Sequence, residues 1–290
     1  MAKKSENKFS SVEKSWMLYD FTTNGYATII LTAIFPIYFN VVLGQNTLGL
    51  ELKGYAASFV MLISAIICPF LGAIADVNKM KKRLWAGFAL AGAVIVGAMA
   101  ATSSWELLLA AYVLSNLAYN FAMLFYDSFI TDVTDHERMH KVSTWAYAVG
   151  YVGGGFVLLV ITAVLMFTTS SVIAVKTSFI LTALWWVIFS LPMLFNVHQT
   201  HFSEKNLSET THEMLGQLRQ TFGAIWANKP LRYFILAYFF YIDGVGTVMT
   251  MATSYGNTIG LGTTGMILAL LVTQLLGLPF SILFGRLADR

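Results

Sequence analysis

Three carboxylates stand inside long apolar runs: Asp20, Asp127 and Asp243. Where such a run crosses a membrane, an acid at mid-depth costs about 2.5–3.5 kcal/mol or more, so a span that keeps one is expected to use it. The chemistry open to it is uptake and release of a proton, retention of a cation, or pairing with a positively charged group of a solute. Depth separates the three. Asp243 lies eleven residues past Arg232, about 16 Å along a helix rising about 1.5 Å per residue, near the middle of a hydrocarbon core about 30 Å thick. Asp20 is six residues past Lys14 and Asp127 five before Asp132, so both are shallower. Each has a plainer alternative. Asp243 is bonded to Tyr238 or Tyr241, Asp20 pairs with an N-terminal lysine, and Asp127 orients the charged stretch that follows it. Asn24 and Tyr241 are further candidates for substrate or coupling contacts. Gly244 and Gly246 give the backbone beside Asp243 freedom to unwind.

Composition fixes the setting. The chain is 57% hydrophobic and 11% charged, with a mean hydropathy of +0.67, whereas soluble domains carry about 25% charged residues. Eight apolar segments are predicted to span a membrane as helices: Trp16–Leu43, Gly54–Ala75, Leu84–Ala101, Leu107–Ile130, Val142–Phe167, Val172–Phe195, Leu231–Tyr255 and Met266–Leu287. Their length and lack of two-residue alternation exclude barrel strands, so the fold class is an all-α membrane protein. With the N-terminus inside, only Lys53 and Lys176 of the 18 lysines and arginines fall on the outer side, as the positive-inside rule demands. The first apolar segment exceeds the about 7–15 residues of a removable signal core and is retained. Cys68, the one cysteine, excludes an internal disulfide framework.

One string occurs twice at the inner end of a span. Gly72-Ala73-Ile74-Ala75-Asp76 is followed by Lys79, Lys81, Lys82 and Arg83, and Gly285-Arg286-Leu287-Ala288-Asp289-Arg290 repeats the spacing. The polar stretch Asn196–Lys229 divides the chain into 1–195, a linker 196–229, and 230–290. Within the linker, Met214, Leu215, Leu218, Phe222, Ile225 and Trp226 have near-helical spacing, predicting an amphipathic helix on the membrane surface, with Pro230 opening the seventh span. Gly150, Gly153, Gly154 and Gly155 form a small-residue face for close helix packing or a hinge. Asp132, Asp135, His136, Glu137, Arg138, His140 and Lys141 read as a solvated loop, which accounts for the histidines better than metal binding or pH sensing does. Polar residues inside spans, including Thr28, Asn120, Thr250 and Gln274, serve hydrogen bonds between helices or contacts to substrate. No GxxxxGK[ST] phosphate loop occurs, and the dispersed basic residues do not form a nucleic-acid surface. The chain is not expected to be an enzyme, to carry a cofactor or metal, or to bind nucleic acid. Its oligomeric state is not legible.

These residues resemble a known superfamily. Gly72-xxx-Asp76 and Gly285-xxx-Asp289-Arg290 look like the signature loop that follows the second span of each half in the major facilitator superfamily. Trp16-Met17-Leu18-Tyr19-Asp20-Phe21, Phe125-Tyr126-Asp127-Ser128 and Gly150-Tyr151-Val152-Gly153-Gly154 resemble its vacuolar effluxer branch, which includes autophagy-related vacuolar amino-acid exporters and bacterial relatives. The first signature departs from the pattern, with Val77 and Lys79 where arginine and glycine are expected. The resemblance implies a secondary transporter of a small solute working by alternating access in a bacterial plasma membrane. It further implies a coupling proton or cation, and Asp20, Asp127 and Asp243 on cavity-lining helices. Gly72, Asp76, Gly285, Asp289 and Arg290 then form a conformational latch. The superfamily has twelve spans, so eight imply a fragment of a longer product, a complete eight-span transporter being the alternative. Amino-acid efflux is the first substrate expectation, multidrug or sugar export the second. A sensor or assembly protein of the same fold is the alternative from another class. Membrane lipids are partners in every case.

Overall fold

The computed structural model describes residues 8–44, 47–75, 77, 79–169, 171–202, 216 and 220–288. Among them are eight helices long and apolar enough to cross a membrane: α1 (Ser11–Val42), α2 (Leu48–Ala75), α3 (Met80–Ala101), α4 (Trp105–Val133), α5 (His136–Thr168), α6 (Val172–Asn196), α7 (Lys229–Gly256) and α8 (Thr263–Gly285). Each corresponds to a span predicted from hydropathy.

Three starts differ most: α2 begins at Leu48 rather than Gly54, which brings Lys53 into the helix, and two others differ for reasons of local chemistry. α1 begins at Ser11 rather than Trp16 because Ser10 and Glu13 form a capping box. The Ser10 hydroxyl accepts from the Glu13 amide at 3.0 Å, and the Ser10 amide donates to Glu13 Oε2 at 2.7 Å. The expected loop 132–141 is mostly helix. α4 runs through Val133, and His136–Lys141 are the first turns of α5, with Glu137 in the opening turn where negative charge complements the helix dipole. The polar character of these turns reflects ion pairing. Arg138 donates to both carboxylate oxygens of Glu13 at 3.1 Å, tying the start of α5 to the start of α1.

α1 is the central helix, lying along α5 and α6, while α3 packs on α4 and α6 and α2 on α4. Tyr19, Tyr26, Ile29, Ile30, Ala33, Ile34 and Phe35 of α1 are all buried in one continuous core. Gly154 of α5 makes this approach possible, because a Cβ there would collide with the Phe21 carbonyl oxygen and the Gly25 amide nitrogen. Gly153 is covered in the same way by the Phe21 ring, and Gly150 by Asn24.

The end of the bundle that carries the start of α1 is sealed by the chain leaving α6. Asp132 Oδ1 accepts from the backbone amides of Thr200 and His201 at 2.8 and 2.9 Å, while Oδ2 meets Lys81 Nζ at 3.0 Å. Gln199 donates to the Ala75 carbonyl at 3.0 Å. Lys79, at φ 59, turns the chain from α2 into α3 in the left-handed region that favours glycine. This is one of the two positions where the signature string departs from its pattern. Further along, residues 220–227 form a short exposed helix holding Phe222, Ile225 and Trp226. Met214, Leu215 and Leu218 lie outside the described residues.

α7 and α8 join the bundle at limited places. α8 lies along α5, and α7 meets α1 and α2 at the end of the bundle remote from the start of α1. Both contacts include π-helical stretches, Ala27–Ala33 in α1 and Tyr151–Val157 in α5, and extend beyond them. A π-turn widens the helix and alters which backbone groups are available, and such turns are frequent at functional sites.

Candidate functional site

Asp20 sits on the buried side of α1 with 4% of its surface exposed. Among the described residues neither oxygen pairs with a lysine. Thr23 donates to Oδ1 at 2.9 Å and the Tyr126 hydroxyl donates to Oδ2 at 3.0 Å. Two hydroxyls are a sufficient shell to keep a carboxylate inside a low-dielectric core, where an unpartnered one would be too costly. Tyr126 is itself fixed by Trp16, whose ring stacks on it at 4.6 Å and whose indole N–H donates to its carbonyl at 2.9 Å. Tyr19, the neighbour of Asp20, packs 4.9 Å from the Tyr126 ring and 5.1 Å from Trp85. The motif strings around Trp16 and Tyr126, from different helices, are thus one aromatic assembly.

Asp127 follows Tyr126 and faces the same space. A cavity of about 170 Å³ is lined by Trp16, Asp20, Met123, Tyr126, Asp127, Ile130, Ser143 and Tyr147. Asp127 is exposed at this cavity and makes no hydrogen bond or ion pair among the described residues, so its oxygens are open to a ligand. Asn24 stands one turn beyond Asp20, its amide donating to the Asp20 carbonyl at 3.3 Å and its side chain lying against Gly150. The structure therefore brings Asp20, Asn24, Asp127 and the glycines of α5 into one neighbourhood. Aromatic faces beside two carboxylates make a setting that favours a cationic group.

Asp243 and Tyr241 are not in that group. Both are exposed on α7, with nothing within 4 Å of a Cβ placed at Gly244 or Gly246. Of the repeated string, Gly285 is buried against Thr144, and its carbonyl lies 3.2 Å from His140 Nε2. Gly72 has no neighbour within 4 Å of an added Cβ. Asp76, Asp289 and Arg290 lie outside the described residues. Gly155 and Gly277 form the crossing of α5 and α8, where added Cβ atoms would overlap Gln274 and the Tyr151 ring. Gln274 donates to the Thr28 hydroxyl at 3.2 Å, so the π-helical stretches of α1 and α5 meet α8 at the same residue. Below this crossing a second cavity, about 490 Å³, opens between α5 and α8 and shares Tyr147 with the Asp127 cavity.

Sequence reasoning wrongly excluded an HExxH motif and passed over a second feature. His136-Glu137-Arg138-Met139-His140 has the HExxH spelling that places two histidines on one helical face in zinc peptidases. It was legible from spacing alone. Among the described residues no third histidine, cysteine or acid joins them in a metal-holding group, and Arg138 is committed to Glu13. The second is Lys53, counted above only as an outer-side cation, whose side chain is fully buried.

Comparison with known proteins decides the family. The family model described as Vacuole effluxer Atg22 like matches residues 52–290. The chain belongs to that family. It is also 37% identical, over 98% of its own length and 69% of the relative's, to an uncharacterized MFS-type transporter, YxiO, of Bacillus subtilis (strain 168). Membership makes this chain an integral, multi-pass membrane protein of a major facilitator-type transporter family that handles a small molecule. It points to transport rather than catalysis.

Proposed function

We propose that the protein is a secondary transporter exporting a small ammonium-bearing solute, an amino acid being the first choice, by alternating access. The observation that carries this reading is the cavity in which Asp20 and Asp127 face Trp16, Tyr126 and Tyr147. Asp127, without a hydrogen bond or ion pair among the described residues, receives the solute's ammonium or the coupling cation, and the aromatic faces add cation–π attraction. Asp20, held by Thr23 and Tyr126, is the group that exchanges a proton with the transport cycle. Asp243 on α7 is a second coupling position, contributed by the part of the chain after the linker.

The moving parts follow the sequence division. Residues 1–195 form one bundle, 230–290 begin the other, and 196–229 link them. Gly155 with Gly277 provides the close crossing of α5 and α8 about which the parts rock, while Gly150, Gly153 and Gly154 hold α5 against α1 within the first bundle. Gly72, Asp76, Gly285, Asp289 and Arg290 latch the two parts in one state. The N-terminus, both signature strings and the linker face the cytoplasm of a bacterium across its plasma membrane, an orientation that the cation distribution supports. There the trailing lysines and arginines meet anionic headgroups.

A counterflow screen in proteoliposomes tests this. Vesicles loaded with each of a panel of amino acids are expected to accumulate the labelled form of at least one, and a panel of sugars and hydrophobic amines covers the competing substrates. Saturable binding with no flux for any compound would make the protein a sensor.

A further inference from the structure

We propose that Lys53, with Thr253, is the closing strut of a gate at the end of the bundle remote from the N-terminus. The proposal rests on the alternating-access reading above and extends it to residues that reading does not use.

Lys53 is in the second turn of α2 and 1% exposed. Among the described residues no carboxylate pairs with its ammonium. Its three N–H donors are taken by the Leu31 carbonyl of α1 at 3.1 Å, the Thr250 carbonyl of α7, and the Ser254 hydroxyl at 3.5 Å. A buried cation held by neutral acceptors alone is a costly arrangement, sustained only while all three helices stay together. The bond to Leu31 falls within the π-helical stretch of α1. Beside it, the Thr253 hydroxyl of α7 donates to the Thr32 carbonyl of the same stretch. The two side chains therefore fasten α7 to adjacent carbonyls of α1, one directly and one through α2. Gly54, next to Lys53, lies close enough to α7 for an added Cβ to stand 3.6 Å from Met251.

Function follows from geometry. Apart from Thr253, Ser254 and Gly256, α7 is mostly exposed, and it touches the first six helices mainly at this end. If α7 swings away to admit solvent, the Lys53 ammonium loses its α7 acceptors and is rehydrated in the opened vestibule. Water then replaces the carbonyl of Thr250, so the ammonium keeps its hydrogen bonds in the open state as well and is short of partners only between the two. A charged strut of this kind gives two discrete states, where an apolar contact would permit gradual loosening.

The test uses one reporter cysteine at Ala56, one turn from Lys53 and buried beside it, in a Cys68→Ser background. A membrane-impermeant maleimide is applied from the side opposite the N-terminus. Slow labelling is expected with Lys53 present, and about tenfold faster labelling in Lys53→Met, the shift expected for losing hydrogen bonds to one charged group. Thr253→Val, which keeps shape and removes only the donor, is expected to quicken labelling about threefold and serves also if Lys53→Met fails to fold. Equal, measurable labelling in all three proteins overturns the gate and leaves alternating access standing. No labelling in any of them overturns both.

Discussion

The Tyr126 hydroxyl donates to Asp20 Oδ2 across 3.0 Å, joining α4 to α1 inside the core. Removing it in Tyr126→Phe leaves the ring stack on Trp16 in place and strands one carboxylate oxygen. A buried charged acceptor left without its donor costs about 1–3 kcal/mol, which chemical denaturation in micelles reads as a lowered midpoint. Adding Asp20→Asn to Tyr126→Phe is expected to recover part of that loss, because no charge is then stranded. Strict additivity of the two substitutions would show that the hydroxyl and the carboxylate do not act as a pair.

Two glycines in different surroundings respond oppositely to alanine. At Gly154 the added methyl meets the backbone of α1, which cannot move aside as a side-chain tip can. Gly154→Ala is expected to cost about 1–3 kcal/mol or more by forcing α1 and α5 apart. Gly72 is helical with open space around it, so Gly72→Ala is expected to be neutral or to gain up to about 1 kcal/mol from helix propensity. Thermal unfolding of the two variants side by side reads this contrast. Equal destabilisation would remove the packing account of the glycine face.

Asp132 holds the start of the linker. Its fully buried carboxylate accepts from Thr200, His201 and Lys81 together. Asp132→Ala leaves Lys81 buried without its counter-charge, at a cost of about 3 kcal/mol or more, and frees residues 197–202 from the bundle. Hydrogen exchange at those amides is expected to rise by at least about tenfold, since a difference of about 1.4 kcal/mol already corresponds to that factor. Asp132→Asn keeps an acceptor for both amides and should show a smaller rise. Unchanged exchange in Asp132→Ala would mean that other contacts, such as Gln199 to the Ala75 carbonyl, dock the strap.

The spans were legible because burial in a membrane writes itself as uninterrupted hydropathy, and all eight were found. Their ends were less legible. Ser10 and Glu13 extend α1 through polar residues by capping chemistry, and Arg138 makes a helix of an apparent loop by pairing with Glu13, 125 positions away in the chain. The meeting of Asp20 with Tyr126 was implicit in two motif strings, but only the packing of α1 on α4 puts them in contact. Lys53 illustrates the limit most clearly. A lysine near the end of an apolar run reads as a solvated, topology-setting charge, and no local pattern reveals that Leu31, Thr250 and Ser254 converge on it. Asp243 is the reverse case: its depth along the span draws notice, and the structure leaves it exposed on α7, apart from the Asp20 cavity.

The central claim is that solute and coupling charge pass through the cavity shared by Asp20 and Asp127. The most direct measurement is counterflow of the amino acid selected by the screen, in proteoliposomes containing the unaltered protein, Asp127→Asn or Asp20→Asn, with vesicle pH followed in the same experiment. Loss of saturable flux in Asp127→Asn is expected, together with retained exchange but abolished solute-driven proton movement in Asp20→Asn, all three proteins being equally folded. Flux and proton movement identical to the unaltered protein in both variants would contradict the account.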